Sequence, residues 1–126
     1  MILIDTSAWV EMFRNTSKGQ KAAEKMKAAN ATYLCVLTIT ELVAWAEKNA
    51  IDHNVLLNAI VKTSTYLDLN HDILRGAGIS YNKFREIKPK ISMIDTIIYM
   101  TAQVHGLTLL TCDNDFEGLP DVELIR

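Results

Sequence analysis

Gly106-Leu107-Thr108-Leu109-Leu110-Thr111-Cys112-Asp113-Asn114-Asp115-Phe116 is the stretch on which the fold turns. A glycine suited to the residue just past a helix end leads into an uncharged apolar run, Leu107 to Thr111. A continuous run of that length, without polar alternation, reads as a strand buried on both faces. Two acids, Asp113 and Asp115, follow it. The N-terminus has the same design in miniature, with Ile2-Leu3-Ile4 closed by Asp5.

Working outward, further strands are expected at Tyr33 to Leu37, at the alternating and more exposed Tyr66 to Leu69, and at Val122 to Ile125. Helical spacing fills the intervals. Thr6 or Ser7 can cap a helix reaching Phe13, and an Ala/Lys-rich helix over about 20–30 turns Ala22, Ala23, Met26 and Ala29 inward. Thr38-Ile39-Thr40-Glu41 has the form of a capping box, with Leu42, Trp45 and Ala46 behind it. Asp52 can cap a helix with Val55, Leu56, Ala59 and Ile60 facing inward, and another runs from His71 to Glu86. Ser92-Met93-Ile94-Asp95 opens the last helix, whose buried face is Ile94, Ile97, Ile98, Thr101 and Ala102. Strands alternating with helices imply right-handed crossovers and a mainly parallel sheet of four to five strands, covered on both faces. The expected architecture is a three-layer α/β/α fold, with residues 1–126 forming one domain and no internal repeat.

Composition agrees with a soluble globular chain, at 49% apolar and 22% charged. No signal peptide or membrane-length apolar run is seen, so a cytoplasmic protein that engages no membrane is expected. Cys35 and Cys112 have neither zinc-type spacing nor enough company for a disulfide framework. No glycine-rich turn follows a strand, which excludes a P-loop or dinucleotide site.

Four carboxylates carry the chemistry. Asp5 and Asp113 end strands, while Glu41 and Asp95 fall in the first turns of expected helices. Each has an innocent role as a helix cap. Independent capping, however, gives no reason for all four to converge at the carboxyl edge of a parallel sheet, where such folds place their sites. Acids gathered without a basic partner repel one another, and hard divalent metal is the usual reason to hold them together: Mg²⁺, with Mn²⁺ as the alternative. Ser7 and Thr111 stand beside these acids, where a hydroxyl can serve either the site or the local backbone. The net charge is −2, and setting the four acids aside leaves +2 on the rest of the chain. Lys18, Lys21, Lys25 and Lys27 form one basic group, and Lys83, Arg85, Lys88 and Lys90 form another just ahead of Asp95. Spacing alone favours solvated helix faces. Closeness to Asp95 makes the second group a candidate RNA-binding track.

Asp5-Thr6-Ser7 after an apolar strand, Thr40-Glu41-Leu42, Ile94-Asp95, and the segment from Gly106 to Phe116 together resemble a PIN domain, in the expected order and across the chain. Length and motif placement are most similar to VapC-type toxins of toxin–antitoxin modules. The resemblance implies a PIN-like fold and a Mg²⁺- or Mn²⁺-dependent endoribonuclease. Asp5, Glu41, Asp95 and Asp113 would be its acidic quartet, with Asp5 and Asp95 the principal metal ligands and Asp115 an outer contributor. It also implies an RNA substrate, a homodimer, and a small antitoxin whose tail covers the groove. Trp9, Met12, Phe13 and Trp45 lie on helices that could meet such a tail or could pack in the core. Cys112 departs from the polar or basic residue that members often carry there.

Two other readings compete. One keeps the fold as a PIN nuclease of RNA processing or decay with no antitoxin. The other is Mg²⁺-dependent phosphotransfer through an aspartyl-phosphate. It ranks lower, because no second acid lies two residues after Asp5 and no lysine follows the strand at Leu107 to Leu110.

Overall fold

In the computed structural model, which describes residues 1–126, β1 (Ile2–Ile4) lies at the centre of a five-stranded sheet. Its flanks are β2 (Thr32–Cys35) and β4 (Thr108–Thr111), with β3 (Thr65–Leu67) and β5 (Val122–Leu124) at the edges. Every pairing is parallel, so the order is β3-β2-β1-β4-β5. Leu3 stands opposite both Tyr33 and Leu109, which puts Asp5 and the residues after Thr111 at one edge.

The continuous apolar character of β1 follows from burial on both faces. Ile2 and Ile4 point into one core with Ala8, Trp9, Ala22, Leu34, Leu42, Ile60 and Leu110. Leu3 points the other way, into a core with Ile91, Ile98, Tyr99, Ala102, Leu109 and Phe116. The first core is covered by α1 (Thr6–Phe13), α2 (Ser17–Ala28), α3 (Val36–Lys48) and α4 (His53–Val61). The second is covered by α6 (Met93–Val104) and by Phe84 of α5 (His71–Ile87), which meets Tyr99 edge-on at 5.4 Å. This is the three-layer arrangement expected.

Local signals set most boundaries. Thr16 caps α2 by accepting the Gly19 N–H at 3.0 Å, so that helix starts earlier than its apolar spacing implied. Asp52 caps α4, and Ser92 and Asp95 form the reciprocal capping box of α6. Gly106 follows α6 in the left-handed region, φ 65°, as its place after the helix requires.

Several expectations need correction. α3 begins at Val36, directly after β2, with no side-chain cap, so Thr38 to Glu41 is not a capping box and Glu41 stands in the second turn. Neither Thr6 nor Ser7 caps α1, whose first turn follows Asp5. Val55, Ala59 and Ile94 are exposed, because α4 and α6 use narrower inner faces than their apolar stripes. Trp9 is buried and stacked on Phe13 at 5.9 Å, which removes it from any docking surface. Phe13 and Trp45 do reach the surface, where they line a hollow of about 470 Å³ with Arg14, Asn49 and Ile51.

Candidate active site

The carboxyl ends of β1 and β4 are pinned side by side by the Asp5 N–H donating to the Leu110 carbonyl at 2.9 Å. Asp5 is 3% exposed, and two hydroxyls serve it. Ser7 Oγ donates to Asp5 Oδ2 at 2.7 Å and Thr111 Oγ1 donates to the same oxygen at 2.8 Å. Those hydroxyls are oriented in turn by backbone: the Cys112 N–H donates to Ser7 and the Asp113 N–H to Thr111, each at 3.0 Å. The β4 end therefore grips the β1 carboxylate through two hydroxyls.

The other acids are held in the same way, by one oxygen. Glu41 Oε1 accepts from Thr6 Oγ1 at 2.6 Å. Asp95 Oδ2 accepts from the Ser92 N–H at 3.0 Å, and Asp113 Oδ1 accepts from the Asp115 N–H at 2.9 Å. Capping of this kind does not compete with a site; it orients one. In each of these four carboxylates the second oxygen has no protein donor. The chain's ion pairs all lie elsewhere, at Glu11, Glu47, Glu117 and Glu123.

Carboxylate oxygens of Asp95, Asp113 and Asp115 fall within 4.8 Å of one another. Asp115, expected at the periphery, is therefore as much a part of this cluster as Asp113. Asp5 and Glu41 stand outside that tight trio but feel the Asp95 charge. Burial raises the Asp5 carboxyl from 3.8 to about 6; hydrogen bonds from Ser7 and Thr111 oppose the rise, and the Asp95 and Glu41 charges add to it. Burial likewise raises Glu41, eased by Thr6 and reinforced by Asp95. Asp113 is raised by burial and by the charges of Asp115 and Asp95, against the lowering effect of the Asp115 N–H.

These shifts have a sign that can be tested. An acid whose folded pKa is raised binds its proton more tightly when folded, so stability falls as pH rises from the unfolded value to the folded one. For Asp5 that window is from 3.8 to about 6. A shift of that size corresponds to stability on the order of 2–3 kcal/mol. Glu41 and Asp113 act in the same direction. Thermal unfolding in chelator should show the metal-free protein markedly more stable at pH 5 than at pH 7.5. A flat profile would mean that these acids are better solvated than their burial indicates.

Of the remaining sequence candidates, Lys83 and Arg85 lie on the exposed end of α5, and Lys88 and Lys90 in the turn leading to α6. Arg85 stacks over the Tyr81 ring at 5.6 Å and donates to its hydroxyl. Lys88 lowers the pKa of Glu117 behind the Arg126 contact, which places it near the segment just past Asp115. Sequence reasoning missed Thr6 and Thr38 as contributors. Both looked like cap residues, and only the packing of α1 on α3 reveals otherwise.

The sequence as a whole matches the PIN domain over residues 2–122. The chain belongs to the PIN domain family. This PIN domain is 34% identical over 59 residues to Ribonuclease VapC4 of Mycobacterium tuberculosis, a match covering 47% of the chain and 45% of that relative. The matched region thus spans about half the length of that relative. Among solved structures, the fold is similar to a toxin–antitoxin complex from Klebsiella pneumoniae, with TM-score 0.77, 23% identity, and coverage of 100% of this chain and 98% of that one. It is also similar to VapBC2 from Rickettsia felis bound to a DNA fragment from its promoter, with TM-score 0.78, 16% identity and full coverage of both chains. At those identities the likeness concerns the fold of this PIN domain.

The chemistry of the donor set fits a hard cation. It is all oxygen, partly to fully buried, mutually repelling and without ion pairs, which suits a divalent ion better than water alone. Asp95, Asp113 and Asp115 lie close enough together to hold one.

Proposed function

We propose that this PIN domain is a divalent-metal-dependent endoribonuclease that hydrolyses RNA phosphodiester bonds, using Mg²⁺ or Mn²⁺. The observation that carries the reading is the set of acids tied by one oxygen each, with the other left free. In this reading Asp5 and Asp95 are the principal ligands, Glu41 and Asp113 complete the pocket, and Asp115 supports them. A bound divalent ion would acidify water and offset charge on the phosphoryl oxygens. The chain's own part is to hold its carboxylates in place before substrate arrives and to keep the Asp5 end dry. Glu41, held by Thr6 through Oε1, would offer its other oxygen to the pocket. Ser7 and Thr111 keep Asp5 Oδ2 occupied, so that Oδ1 is the oxygen offered.

We assign the biological role as the toxin of a VapBC-type pair: a cytoplasmic single-domain homodimer restrained by a small antitoxin. Support comes from the ribonuclease relative and from the toxin–antitoxin assemblies that share the fold. No helix is long and apolar enough to cross a membrane.

The test is cleavage of a mixed pool of structured and single-stranded RNA by purified protein, with Mg²⁺, with Mn²⁺ and with chelator, beside Asp95→Asn. Metal-dependent cutting that disappears in the variant is the expected result. Equal cutting by Asp95→Asn would overturn the assignment. A second expectation concerns Lys83, Arg85, Lys88 and Lys90. Replacing all four with glutamine should weaken RNA binding and reduce the slope of log affinity against log salt by about 0.7 for each phosphate left without its cation. Metal affinity should not change. An unaltered slope would return these residues to an ordinary solvated surface.

A further inference from the structure

Thr6 opens α1, yet its hydroxyl plays no part in capping that helix. It reaches α3 instead, 2.6 Å from Glu41 Oε1 and 3.0 Å from Thr38 Oγ1. A hydroxyl has one proton, and an ionised carboxylate can only accept. Thr6 therefore spends that proton chiefly on Glu41, the nearer and charged acceptor, and Thr38 Oγ1 is the second contact of the same hydroxyl. Thr38 is fully buried, and it sits three residues before Glu41, on the same side of α3. The crossing of α1 on α3 thus lines up two hydroxyls and one carboxylate from positions far apart in sequence.

We propose that Thr6 is a positioning residue for Glu41: its hydroxyl, steadied by Thr38, fixes the carboxylate by Oε1 and leaves Oε2 for the pocket. This rests on the metal-nuclease reading above. Glutamate has three side-chain torsions, and Thr6 is the one side chain that bonds this carboxylate. Without it the group can swing toward solvent, away from the charge of Asp95 that it otherwise faces. Asp5 and Thr6 are adjacent, so one turn of chain supplies an acid of the site and the holder of another.

The alternative is a purely structural contact that satisfies the buried Thr38 hydroxyl. The two differ in what a substitution moves. Thr6→Val keeps the shape and removes the hydroxyl; Thr6→Ser restores it. Mn²⁺ binding by calorimetry, kcat and KM on RNA, and melting in chelator should be measured for both, beside wild type and Asp95→Asn. The expected result is that Thr6→Val weakens Mn²⁺ binding and lowers kcat, each by about 10–100-fold, as removal of a residue behind a ligand does. KM should stay near wild type, the melting temperature in chelator should fall only modestly through the lost contact to Thr38, and Thr6→Ser should recover most of these losses. If Thr6→Val fails to fold, Thr6→Ala is read in the same way. Wild-type Mn²⁺ affinity and kcat in the hydroxyl-less variant would overturn the inference, as would a lower melting temperature with metal affinity intact. If wild type itself binds no Mn²⁺ and behaves like Asp95→Asn, the metal reading fails and takes this inference with it. If wild type binds, Asp95→Asn does not, and Thr6→Val matches wild type, the positioning role alone fails.

Discussion

Asp5→Asn is expected to lower metal-dependent RNA cleavage by about a thousandfold or more, and the same substitution is expected to raise the melting temperature of the metal-free protein at neutral pH. The first effect follows from the proposed role. A metal site contributes several kcal/mol to such a reaction, and about 4 kcal/mol corresponds to a factor of about a thousand. The second follows from burial. Asp5 ionises at about 6 in the folded chain because its charge is 3% exposed and sits near Asp95 and Glu41. Asparagine carries no charge, and its carbonyl can still accept the Ser7 and Thr111 hydroxyls. The gain should approach the order of 2–3 kcal/mol at pH 7.5 and vanish near pH 4. Single-turnover cleavage and thermal unfolding in chelator, across that pH range, check both halves. A variant that loses activity and stability together would show Asp5 to be a structural carboxylate.

The largest effect on stability is expected far from the acids, at Gly19. A Cβ there would stand 2.0 Å from the Glu11 carbonyl oxygen and 2.4 Å from its carbon. Those atoms are backbone of α1, so no side chain can turn aside, and α1 and α2 would have to separate. Gly19→Ala should cost about 3 kcal/mol or more, at the upper end of overpacking effects. Gly78 provides the control. It lies within α5, and a Cβ there meets nothing within 4 Å. Gly78→Ala should stabilise by about 0.5–1 kcal/mol through helix preference alone. Urea unfolding of the pair would read the difference directly; similar midpoints would mean that the helices separate at little cost.

Both sites show how far a sequence can be read. The apolar runs at Ile2 to Ile4 and Leu107 to Leu110 announced central strands, because double-sided burial leaves no room for polar alternation. The meeting of Asp5 and Asp113 at one edge was legible for a related reason, since parallel strands carry the residues after them to the same place. The capping box at Ser92 was legible because it is made within one turn. The look-alike at Thr38 was not, since α3 starts directly from β2 and the Thr38 hydroxyl is drawn instead to Thr6. Tertiary contact also decided Asp115, whose nearness to Asp95 depends on how the turn after β4 meets the start of α6. The exposure of Val55 and Ile94 has the same origin: an apolar stripe records what a helix could bury, and the neighbouring layer decides how much it does.

The placing of β1 at the centre of the sheet has a consequence for synthesis. Asp5 and Glu41 leave the ribosome early, but Thr111, whose hydroxyl grips Asp5, lies 106 residues further along the chain. Until β4 docks beside β1, the first carboxylate has only Ser7 to hold it, and the trio around Asp95 lacks Asp113 and Asp115. Closing so long a loop is entropically among the later events of folding. In the nuclease reading proposed above, this order would withhold the assembled pocket from RNA near the growing chain.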